Sequence, residues 1–105
     1  MNALAILRAA RAYATDPDHI VKDPFHIYED AAGNDAFGEE AVRGCLLGCA
    51  FIATRCEGDA ASAAYNAIEV HLINGDYQDT MRAGHATILA TYDKAIADLE
   101  AQVVA

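Results

Sequence analysis

The feature that most constrains the fold is the stretch Ala41 to Cys56, where Cys45, Cys49, Ile52 and Cys56 fall on one face if the segment is helical. Gly44 and Gly48 lie beside that face at the small-xxx-small spacing, which lets another backbone come close at some cost in helix propensity. Such a segment is either a core helix or a chemical site.

The remaining segments read as helices around it. The first runs from Asn2 to Ala14, with Ala3, Ile6, Leu7, Ala10, Tyr13 and Ala14 on one side and Asp16-Pro17 as its stop. Glu39 and Glu40 favour the positive N-terminal end of the central helix, and Gly58 ends it. Asp59 is the expected N-cap of a third helix with the stripe Ala61, Tyr65, Ile68 and Leu72, stopped at Asn74-Gly75. The last helix repeats most cleanly, through Ile88, Leu89, Tyr92, Ala95, Ile96, Leu99 and Val103, with Lys94 and Asp98 paired on its wet side. Twenty-four alanines against seven glycines and two prolines suit helices packed at short range. The expectation is an all-α domain spanning residues 1–105, a compact bundle of four principal helices. A long, acidic, irregular connection over residues 16–38 joins helices 1 and 2, and no second domain or repeat is visible.

Net charge is −9, and most of it sits in residues 16–40, where Asp16, Asp18, Asp23, Glu29, Asp30, Asp35, Glu39 and Glu40 are opposed by Lys22 alone. That field repels phosphate backbones, which argues against direct nucleic-acid binding and suits either solubility or a basic protein partner. Phe25, Tyr28 and Phe37 are interleaved with the carboxylates and could act as anchors. The candidate partner-binding residues are therefore Asp23, Phe25, Tyr28, Glu29, Asp30, Asp35, Glu39 and Glu40. The carboxylates lack the alternating spacing of an EF-hand. No apolar run is long enough to span a bilayer and no leader pattern opens the chain, so a soluble, cytoplasmic protein without membrane association is expected.

Metal and redox chemistry have a weak basis. Three cysteines are an odd number with no Cys-x-x-Cys pair, which favours reduced thiols in a reducing compartment over a disulfide framework. On one helix all three span too great a length to ligate one ion; at most Cys45 and Cys49 could share a metal completed by His71 or His85. Buried cysteines more commonly fill tight helix contacts. The four histidines form no ligand pair at helical spacing, and neither a phosphate loop nor a nucleophile motif is present. No cofactor and no catalytic residue is implied. Tyr77, Gln78 and Asp79 form a turn in which Asp79 or Thr80 caps the final helix and Tyr77 staples it; the same turn could border a ligand groove.

Together, the Cys45-Leu46-Leu47-Gly48-Cys49-Ala50 run, Leu7-Arg8-Ala9-Ala10, and the stretch from Tyr77 to Ile96 resemble a family of small helical proteins of actinobacteria, related bacteria and their phages. Members show a Cys-Leu-x-Gly-Ala run in a middle helix, an aromatic-Asn-Asp turn, and a last helix reading Val-Leu-x-x-x-Asp-x-Ala-Ile. Here Tyr77 stands where tryptophan is usual and Gln78 where asparagine is usual, and the acidic stretch has no counterpart. The resemblance implies a helical fold and no activity. If the chain is phage-borne, an acidic decoy for a host nucleic-acid-binding protein becomes a reasonable function. The reading is thus a non-enzymatic protein-interaction module. The rival is a small-ligand or metal-binding helical protein using the Cys45/Cys49 face and the Tyr77 turn, and an enzyme ranks third.

Overall fold

The computed structural model describes residues 1–104, with side chains through Gln102, so the expected contribution of Val103 to the last stripe lies outside the described side chains. Its architecture is all-α. Helix α1 spans Ala3–Ala14, α2 Leu46–Thr54, α3 Asp59–Glu69, the short α4 Tyr77–Arg82, and α5 His85–Val104; strands β1 (Tyr28–Glu29) and β2 (Arg43–Gly44) form a small two-stranded sheet.

Asn2 starts α1 by accepting the Ala5 N–H on its side-chain oxygen at 2.8 Å. Ile6, Leu7, Ala10 and Ala14 are fully buried, so the sequence stripe is the packed face. That face meets α2, α3 and α5, making α1 the hub of the bundle. Along its outer side, Arg8 reaches Glu100 at 2.8 Å and Arg11 reaches Asp93 at 3.0 Å. These exposed pairs are each worth less than about 1 kcal/mol, and burial of the stripe carries the packing. In α5, Ile88, Tyr92 and Ala95 are buried while Leu89, Ile96 and Leu99 pack at the core's edge, as their spacing predicts. The expected Lys94–Asp98 pairing is replaced by a bond from His71 Nε2 to Asp98 at 2.6 Å.

The central helix differs most from expectation. It begins at Leu46, because residues 41–45 are held extended by the connection: the Val42 N–H donates to Glu29 O at 2.9 Å and the Cys45 N–H to Ile27 O at 3.0 Å. β1 and β2 pair antiparallel, with Tyr28 opposite Gly44 and Glu29 opposite Arg43. Cys45 is consequently the N-cap of α2, its sulfur accepting the Gly48 N–H at 3.4 Å. Glu39 and Glu40 lie in a separate 3-10 turn (Gly38–Glu40), well ahead of the helix they were expected to start. At the other end Arg55, in the left-handed region at φ 55°, closes α2 before Gly58 is reached. Cys56 therefore falls outside the helix, Cys45 stands at its cap, and of the three cysteines Cys49 alone lies within α2.

The remaining caps shift by a few residues. Gly58, not Asp59, is the N-cap of α3, and α3 ends at Glu69, ahead of the expected Asn74-Gly75 stop. Asp76 accepts the N–H groups of Gln78 and Asp79 and caps α4, so neither Asp79 nor Thr80 caps the final helix. Thr80 is buried instead, its hydroxyl accepting the Ile73 N–H at 2.8 Å and donating to Asp76 O at 2.9 Å. Gly84, at φ 106°, breaks α4 from α5.

Candidate functional site

The acidic connection folds into an ordered layer over the start of α2, and one buried side chain organises it. Glu29 is wholly buried; its carboxylate accepts the backbone N–H groups of Lys22 at 2.9 Å and Asp23 at 3.0 Å. His26 Nδ1 lies 2.8 Å from the same carboxylate. Burial alone would push the Glu29 carboxyl up, but the two N–H groups and the imidazole outweigh it and hold the group below its ordinary range. Its expected role as a partner-binding side chain is therefore corrected: Glu29 faces inward, where it satisfies the Lys22 and Asp23 N–H groups.

The other candidates remain outside or at the boundary. Asp23, Phe25, Asp35, Glu39 and Glu40 are exposed, whereas Tyr28 and Asp30 are half-buried. Asp30 is also partly committed, accepting the Ala32 and Asn34 N–H groups at 2.9 and 3.0 Å to shape the turn. Asp23 fixes Phe25 by accepting its N–H at 2.9 Å, and the Arg82 guanidinium lies 5.1 Å from the Phe25 ring centre. Tyr28 stands edge-on to both Phe37 and Phe51, leaving Phe37 79% exposed. Arg43 braces the layer from within by donating to Asp18 O at 3.0 Å and Asp30 O at 2.8 Å. Among the described residues Asp35, Glu39 and Glu40 make no salt bridge.

The layer and the Tyr77 turn enclose a cavity of about 150 Å³ between the Pro24–Ile27 segment and α4. Phe25, Ile27, Leu47, Tyr77, Gln78 and Met81 line it, with Cys45 at its wall. Two sets of sequence candidates, Phe25 from the connection and Tyr77 with Gln78 from the turn, thus meet in one place. Asp79 does not join them; its carboxylate faces Asn74 Nδ2 at 3.3 Å. Tyr77 donates its hydroxyl to Glu69 at 3.2 Å, and burial together with that carboxylate pushes its ionisation far up. Ile27 and Met81 were not candidates, since only the packing of two distant segments makes them neighbours and no spacing announces it.

The metal candidates are not brought together. Burial pushes both thiols up, Cys49 to about 12, and the Cys49 sulfur lies 3.3 Å from Gly44 O. His71 bonds Asp98, and His85 donates through Nε2 to Ala14 O at 2.6 Å, closing the end of α1. Among the described residues no three His, Cys, Asp or Glu side chains converge to hold an ion. No helix of the described residues is long and apolar enough to cross a membrane.

Compared with protein-family models, curated proteins and solved structures, the chain has no match.

Proposed function

We propose that the protein is a non-enzymatic interaction module that presents its acidic layer to a basic, nucleic-acid-binding protein, acting in the cytoplasm as a phage or mobile-element accessory protein. The observation that carries this reading is the exposure of Phe37 on the same ordered segment as Asp35, Glu39 and Glu40, carboxylates without a salt bridge among the described residues. An exposed aromatic anchor on a segment that also carries free carboxylates suits contact with a basic surface. A pre-folded segment also spares the ordering cost that a disordered acidic tail would incur on binding.

The test is affinity capture from host lysate with wild-type protein and a variant carrying Asp23→Asn, Asp35→Asn, Glu39→Gln and Glu40→Gln. Asn at position 23 retains the oxygen that accepts the Phe25 N–H. Glu29 is left intact because it is structural. Basic proteins retained by the wild type should be lost from the variant and weaken as salt rises, with an unchanged melt. Equal capture by both proteins defeats the reading.

A further inference from the structure

We infer that the cavity between the Pro24–Ile27 segment and α4 is a socket for one apolar side chain projecting from a positively charged segment of a protein partner. The inference deepens the acidic-surface reading and rests on it for the partner's charge. Size decides the occupant: about 150 Å³ suits one leucine-sized or phenyl-sized group, whereas sites for small-molecule ligands usually offer roughly 300–1,000 Å³. The rim and floor are also distinct. Phe25 and Ile27 are 64% and 54% exposed at the mouth, while Met81 and Cys45 lie buried beneath them. An entering group would therefore exchange water for a preformed apolar floor.

Charge around the mouth selects what flanks that group. Asp23 accepts the Phe25 N–H, Glu69 meets the Tyr77 hydroxyl, and Asp76 caps α4. The opposing cation on α4, Arg82, is engaged with the Phe25 ring, and Lys22 and the half-buried His26 complete the charged groups on the facing loop. Three carboxylates against two full cations, with His26 matched by Glu29, favour lysine or arginine beside the anchor.

The experiment follows the methyl signals of methionine-labelled protein. Met1 and Met81 are the two methionines, and Met81 alone lines the socket. Three capped peptides are titrated: Lys-Leu-Lys, Lys-Ala-Lys and Glu-Leu-Glu. Lys-Leu-Lys should shift Met81 saturably and leave Met1 unmoved, with the other two binding at least about tenfold more weakly. Gln78→Phe, which fills the mouth from α4 without touching the cap made by Asp76, should abolish the shift while the melt is retained. A silent Met81 at millimolar peptide, equal binding of the leucine and alanine peptides, equal binding of the glutamate peptide, or a shift that survives Gln78→Phe each overturns the socket. Because the titration needs no host protein, a silent Met81 beside salt-sensitive capture defeats the socket alone. The opposite pattern defeats the acidic-surface reading alone.

Discussion

The carbonyl oxygen of Ile27 occupies the space that a β-carbon on Gly48 would need. Gly48 is thus the floor on which the acidic connection rests, and the backbone that comes close there is that of Ile27, just ahead of β1. Gly48→Ala should drive the connection off α2 and destabilise the protein by about 1–3 kcal/mol. Urea denaturation measures it; an unchanged midpoint would show that Ile27 moves aside freely.

Glu29→Gln should cost about 2–3 kcal/mol, because an amide cannot accept both the Lys22 and Asp23 N–H groups and face His26 with a charge. Circular-dichroism melts of variant and wild type supply the comparison. A cost near zero would mean that water replaces the carboxylate.

The same pair gives stability a pH window. The Glu29 carboxyl is held below its ordinary 4.5, so its contribution is complete above that value and is lost as pH falls through the lower folded value. His26 is raised above its ordinary 6.5, chiefly by its hydrogen bond to Glu29, with desolvation opposing and Asp23 and Asp35 assisting. Its contribution is complete below 6.5 and is lost as pH rises through the higher folded value. The melting midpoint should therefore be highest between about pH 4.5 and 6.5, and Glu29→Gln should flatten both flanks. A wild-type profile identical to the variant's would contradict this.

Alkylation should distinguish the three thiols. Cys56 is half-buried beyond the end of α2, whereas Cys45 and Cys49 are buried and pushed toward the unreactive thiol form. Native protein treated with iodoacetamide near neutral pH should gain one adduct, at Cys56, and two more only in denaturant. Intact-mass measurement that finds two or three adducts at native conditions would show the Cys45 wall to be open.

Tyr92 is buried at the centre of the bundle and donates its hydroxyl to Leu46 O at 2.6 Å. Tyr92→Phe should cost about 1 kcal/mol, lowering the melting midpoint by roughly 4–8 °C. A gain in stability would show that the Leu46 carbonyl is satisfied within α2 alone.

Helices that bury a stripe along their own length were legible in the sequence: among the described side chains, α1 and α5 carry the residues their periodicity named. The start of α2 was not, because a helical repeat through Ala41–Cys45 competes with backbone bonds to Ile27 and Glu29 that lie far away in the chain. Its end was missed because Arg55 adopts a left-handed conformation usually left to glycine. Glu29 was misplaced for a related reason. Composition groups it with seven other carboxylates, and only the fold of the 22–26 turn reveals the N–H groups that draw it inward. The socket joins Phe25 to Tyr77 across roughly half the chain, a meeting that local spacing does not encode.

One of the three helices that cover α1 is made late. Arg11 meets Asp93 and Arg8 meets Glu100, 82 and 92 positions further along. At roughly 5–20 residues per second of synthesis, the stripe of Ile6, Leu7, Ala10 and Ala14 waits roughly 4–16 s for the far side of its cover. Over that interval α2 and α3 can cover the stripe from one side only, and its far side stays open until the last helix is made.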